Sequence, residues 1–121
     1  SPFRAPALVV AHKVSSTNLV VRWSHLPEED FHGQPIGYVI THHPTDLESD
    51  PNSMIVIYTT NSTTLTNLKV YTMYTINVSA VSSGGTGPAK TVKTRTDAEG
   101  KELLKMAVGL GACDKKNPLI E

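Results

Sequence analysis

The stretch Tyr74-Thr75-Ile76-Asn77-Val78-Ser79-Ala80-Val81 decides the fold. Successive side chains of an extended chain point to opposite sides. Tyr74, Ile76, Val78 and Ala80 therefore share one face, and Thr75, Asn77, Ser79 and Val81 the other. A strand with one apolar face needs a second layer to cover it. On its C-terminal side, residues 82–88 read as a loop, because three glycines and a proline would ruin a central strand. Residues 91–96 follow as a strand polar enough for a sheet edge.

Working toward the N-terminus, further short alternating runs appear. They cover residues 63–68, 54–59, 36–42, 19–23 and 8–14. Leu19, Val21 and Trp23 share one face of their run, as do Tyr38 and Ile40 of theirs. Residues 54–59 are rich in β-branched side chains, which suit strands. Residues 27–34 form a charged loop, and 44–53, with Asp50-Pro51-Asn52, a long polar turn region. Seven short strands with such punctuation predict an all-β, seven-stranded antiparallel sandwich of two sheets.

The predicted domain spans residues 6–96, with 1–5 as a flexible N-terminal linker and 97–121 as a C-terminal linker or tail. In the tail, Asp97 is a fitting N-cap, and Leu103, Leu104, Ala107 and Val108 fall on one helical stripe. Gly100, Gly109 and Gly111 weaken the pattern, so residues 98–108 read either as a short helix docked on the sandwich or as a frayed tail. Residues 114–121 are expected to be disordered.

Composition narrows the function. The chain has 121 residues, 39% hydrophobic and 18% charged, which is neither a disordered nor a membrane composition. No apolar run approaches the ~20 residues of a spanning helix, so this segment is not expected to insert in a membrane. No leader-like segment opens the chain, so a secreted protein containing it is expected to extend beyond it. Eleven basic residues balance eleven acidic ones, and no basic run tracks a phosphate backbone, which argues against nucleic acid. The lone cysteine, Cys113, gives the core no disulfide of its own.

Read as a set, these residues resemble a fibronectin type III domain. Pro6, Leu19-x-Val21-x-Trp23 and Leu26-Pro27 are similar to its opening, and Gly33-x-Pro35-Ile36-Gly37-Tyr38-x-Ile40 to its third strand. Leu68 followed by Tyr74-x-Ile76-x-Val78-x-Ala80-Val81 resembles its sixth strand and tyrosine corner. Gly85-x-Gly87-Pro88 and Thr94-Arg95-Thr96 fit its last loop and strand. The resemblance implies an immunoglobulin-like sandwich with strand order A-B-E in one sheet and C′-C-F-G in the other. Trp23, Tyr38, Leu68 and Tyr74 are then expected in the core. The Tyr74 hydroxyl is expected to donate to a backbone acceptor near Leu68.

The resemblance also implies a non-catalytic interaction and spacer module of a multidomain cell-surface receptor or adhesion protein, outside the cell. Its partners are then other proteins and neighbouring domains. The alternatives are an intracellular structural module of the same family, or an accessory domain of a larger enzyme such as a receptor phosphatase. The family's Arg-Gly-Asp tripeptide and the Trp-Ser-x-Trp-Ser signature of cytokine receptors are both absent.

Two glycosylation sequons occur, Asn61-Ser62-Thr63 and Asn77-Val78-Ser79. Asn61 precedes a strand in a predicted turn, and Asn77 faces away from the Tyr74-Ile76-Val78 side. The five histidines do not assemble a metal site. Adjacent His42 and His43 point to opposite faces. His25 and His32 lie roughly 20 Å from them at ~3.3 Å per residue, whereas zinc ligands must converge within about 2.1 Å. No nucleophile elbow and no Cys/His pair suggests catalysis, so no enzyme activity, metal or cofactor is expected. The candidate binding loops are Phe31 and His32, with Gly84, Gly85 and Thr86 at the same pole; Phe31, an apolar residue in a charged loop, reads either as a binding anchor or as a ring folded back onto the core rim.

Overall fold

A computed structural model describes residues 2, 4–46 and 51–98. Among these, seven strands form: β1 Val9–Lys13, β2 Leu19–Trp23, β3 Pro35–Pro44, β4 Asn52–Ile57, β5 Ser62–Leu65, β6 Met73–Ser82 and β7 Gly85–Arg95. A short 3-10 turn, Glu28–Phe31, lies between β2 and β3. One sheet has the order β1-β2-β5 and the other β4-β3-β6-β7, with every pairing antiparallel. This is the order that the resemblance implies. The helix expected over 98–108 and the disorder expected over 114–121 lie outside the described residues, apart from Ala98.

The alternation of β6 is complete: Tyr74, Ile76, Val78, Ala80 and Ser82 are buried and the residues between them are not. Facing them, Leu19, Val21 and Trp23 of β2 are almost wholly covered. Tyr38 and Ile40 of β3 complete the middle, with Val9, Leu26, Phe31, Leu65 and Leu68 around them. Trp23 and Tyr38 belong to different sheets, and their rings meet at 5.4 Å and 55°. That tilted aromatic contact joins the two layers at the centre.

Two loops are tied to this core by phenol oxygens. Leu26 N–H donates to Tyr38 Oη at 2.9 Å, and Lys69 N–H donates to Tyr74 Oη at 2.8 Å. The second bond corrects the sequence expectation. The Tyr74 oxygen accepts a backbone N–H at Lys69, because the turn after β5 presents its amide, not a carbonyl, to the ring.

The glycine-rich segment is also corrected. Only Ser83 and Gly84 separate β6 from β7, and Gly85 to Pro88 are already strand. The reason is that β7 is an edge, bonded on one side only. A proline facing outward there interrupts no ladder, and a register shift between Ser79 and Val81 absorbs the irregular backbone. Gly87 is needed for space: a Cβ there would lie 2.5 Å from the carbonyl oxygen of Pro2. Pro2, in the segment read from sequence as a linker, is buried against it.

At the other end, Thr96 is fully buried beyond β7. Its hydroxyl donates to Lys69 O at 2.6 Å and accepts Thr72 N–H at 3.0 Å. Tyr71 N–H bonds Asp97 O at 3.0 Å, and the Arg95 guanidinium lies 4.7 Å above the Tyr71 ring. The strand's exit is thus fixed by both backbone and side chains.

Replacing Tyr74 with Phe keeps the packed ring and strands the Lys69 N–H. The cost expected is about 1–3 kcal/mol, read as a lower urea midpoint with an unchanged slope. A midpoint equal to that of the parent chain would contradict the bond's assigned role.

Candidate protein-binding pole

The two loops singled out from sequence meet at one end of the sandwich. Gln34 N–H donates to Ser83 Oγ at 3.0 Å, and Ser83 N–H donates to Gln34 O at 2.9 Å. Gly84 N–H bonds Ser82 Oγ at 3.1 Å. Gly33 takes a φ of 140°, and a Cβ there would stand 2.9 Å from Ser83 Oγ. Glycine is therefore required where the loops touch. Arg4 pairs with the carboxylate of Asp30, itself buried in the 3-10 turn. Glu28 and Glu29 remain exposed and give this end an acidic lip. His32, Gly84, Gly85 and Thr86 are exposed around it.

Phe31 is corrected. Its side chain is 1% exposed and its ring stands 6.0 Å from Tyr38, edge-on. The 3-10 turn directs Glu28 and Glu29 outward and the ring inward, so Phe31 is a core residue and no contact anchor. The sequence missed Ser83 and Arg4, which tie the pole together through polar bonds that leave no periodic trace.

A second concavity lies between the sheets, where β4 and β5 flank an opening of 190 Å³ lined by His42, Asn52, Met54, Thr64 and Leu65 among others. His42 packs edge-on against Tyr74 at 6.0 Å, and its Nδ1 is buried with no hydrogen-bond partner among the described residues. Burial, and secondarily the charge of neighbouring His43, hold the His42 imidazole below its usual value. Burial likewise pushes the Tyr38 phenol up, partly offset by the Leu26 N–H. Among the described residues, no three His, Cys, Asp or Glu side chains are grouped to hold a metal. Both sequon asparagines are reachable. Asn61 is exposed in the turn between β4 and β5, its carbonyl bonded by Trp23 N–H at 3.0 Å. Asn77 is half-buried on the outer face of β6, and Thr91 Oγ1 donates to its Oδ1.

The model of the family described as "Fibronectin type III domain" matches residues 4–96. The chain belongs to the fibronectin type III family. Among its relatives, sidekick-1 of Gallus gallus is 38% identical over 107 residues, covering 84% of this chain and 5% of that protein. The MAM and fibronectin type III domain-containing protein 1 of Acropora millepora is 38% identical over 92 residues, covering 74% of this chain and 22% of that protein. The solution structure of the fn3 domain of human contactin 1 superposes with a TM-score of 0.72 at 28% identity, covering 82% of each chain. The chain therefore spans a small fraction of the curated relatives it matches. In fibronectin type III terms, β1, β2 and β5 are strands A, B and E, and β4, β3, β6 and β7 are C′, C, F and G. The pole just described is formed by the B–C and F–G loops.

The folded His42 stays neutral at a pH where the unfolded imidazole, near 6.5, takes a proton. Its contribution to stability is complete above pH 6.5 and is lost as the pH falls through and below that value. The urea midpoint is expected to drop between about pH 7.5 and about pH 5.5, and to drop less in His42→Gln. An equal drop in both chains would show that other groups carry the acid sensitivity.

Proposed function

We propose that this fibronectin type III domain is a non-catalytic interaction and spacer module of a multidomain cell-surface receptor or adhesion protein, displayed outside the cell. The observation that carries the reading is the placement of its two ends. Pro2 lies against Gly87 at the start of β7, and Thr96 follows the end of that strand. The nine residue steps from Gly87 to Thr96, at ~3.3 Å each, put the ends roughly 30 Å apart. A chain that enters at one pole and leaves at the other can be joined end to end with its neighbours.

Both ends are held. Arg4–Asp30 and Pro2–Gly87 fix the entry, and Thr96 with the Arg95–Tyr71 stack fixes the exit. Such a module transmits the orientation of one neighbour to the next. The likeness to short segments of sidekick-1 and to a contactin 1 domain supports a multidomain setting. Specificity toward other proteins is assigned to the exposed rim of the B–C and F–G pole, around His32, Gly84, Gly85 and Thr86. No helix among the described residues is long and apolar enough to cross a membrane. Glycans at Asn61 and Asn77 belong to the same proposal, since N-linked sugars are added in the secretory pathway.

The chain with its native flanks, secreted from animal cells, is expected to lose mass on glycosidase treatment. The loss should shrink in Asn61→Gln or Asn77→Gln. A secreted chain of unmodified mass at both asparagines would count against the extracellular reading.

A further inference from the structure

The sandwich has four sheet edges, and an edge strand is a template for another strand unless something blunts it. Three are blunted. Edge β7 carries Pro88, Lys90, Lys93 and Arg95, and Pro2 packs at its start. Edge β5 is four residues long. Edge β1 exposes Val10, but Arg22 stands opposite it, and His12 and Lys13 close the strand, with Lys13 paired to Asp97 at 3.6 Å. Among the described residues, edge β4 has none of these devices. It is six residues long, Asn-Ser-Met-Ile-Val-Ile, with no charge and no proline, and it exposes Ile55 by 59% and Ile57 by 60%.

The ladder shows which backbone groups face outward. Tyr58 N–H bonds Ile36 O at 3.1 Å, in the register that pairs Ile57 with Gly37 and Val56 with Tyr38. Hydrogen-bonded and non-bonded pairs alternate in an antiparallel ladder. Val56 and Met54 therefore spend their backbone groups on β3, and Ser53, Ile55 and Ile57 turn theirs to the open edge. The Ile57 carbonyl also accepts Thr60 N–H at 2.9 Å. By the same period of two, the Ile55 and Ile57 side chains lie on the outer face, opposite the side that covers Tyr38 and Ile40.

We propose that this edge pairs with the same edge of a second copy of the chain, antiparallel about a two-fold axis at Ile55, making one continuous eight-stranded sheet. The register follows from the parity just described. Ile55 faces Ile55 of the second copy, and Ser53 faces its Ile57, so that outward-directed amides and carbonyls meet each other. Pro51, the next residue of that parity, has no N–H and ends the ladder. A second copy fits because the strand is uncharged along its whole length. It neither repels itself nor offers a charge to select a different partner, whereas facing isoleucines are a favourable cross-strand pair. One short edge gives weak association, and repetition along a surface would strengthen it. The inference stands on the edge geometry and does not require the extracellular reading.

Sedimentation equilibrium of the chain, with Cys113→Ser to exclude a bond through that thiol, is expected to show a monomer–dimer equilibrium. Ile55→Lys should weaken it at least tenfold while leaving the thermal midpoint in place. Val10→Lys, on edge β1, should leave it unchanged. In the same Cys113→Ser background, Ile55→Cys should form an inter-chain disulfide under mild oxidation. The Cα atoms of a hydrogen-bonded antiparallel pair stand about 5.5 Å apart, within disulfide reach. A chain that stays monomeric to millimolar concentration, or a dimer abolished by Val10→Lys and indifferent to Ile55→Lys, overturns the proposal.

Discussion

The structure depends on two buried phenol oxygens that each accept a backbone N–H from a loop crossing one end of the sandwich. Tyr38 holds Leu26, and Tyr74 holds Lys69. A loop amide taken out of water without a partner costs about 1–3 kcal/mol, so these bonds decide whether the loops can close over the core at all. Around Tyr38 the arrangement is denser. Trp23 from the facing sheet, Phe31 from the 3-10 turn and His25 all pack on its ring. One side chain thus joins both sheets to the loop that builds the B–C side of the candidate pole.

From this follows the way the domain can act. Its described polar contacts serve rigidity. The entry is clamped by Arg4 and Pro2, the exit by Thr96, and the two loops of one pole by Ser83. A rigid body with fixed ends and one exposed loop rim suits spacing and contact. It also leaves β4 as the sheet edge without charge or proline within the strand and without cover among the described residues.

Much of this was legible in the sequence. The alternation from Tyr74 to Val81 and the Leu19–Val21–Trp23 face report burial directly, because a half-buried strand cannot hide its period. What was not legible has physical reasons. The start of β7 escaped because an edge strand tolerates Gly85, Gly87 and Pro88, so residue type there does not separate strand from loop. Phe31 was ambiguous because one aromatic among carboxylates reads alike whether the turn points it in or out. The acceptor role of Tyr74 was reversed because a phenol does both, and only the loop's path decides. For Ser83, Arg4 and Thr96 the signal is a polar bond between residues far apart in sequence. The edge position of β4 came from the sheet order that the family resemblance implies, not from alternation, which does not order strands.

The central claim is that the Tyr38 bond makes the pole part of the core. Native-state hydrogen exchange at the Leu26 amide tests it most directly. That amide lies in a loop, outside any ladder, and its partner is the buried phenol. The account predicts that Leu26 exchanges only with global unfolding, at the same free energy as the amides of Ile76 and Val78 in β6. Exchange as fast as that of Glu29, in the exposed turn beside it, would mean that the loop opens independently and that the phenol does not hold it.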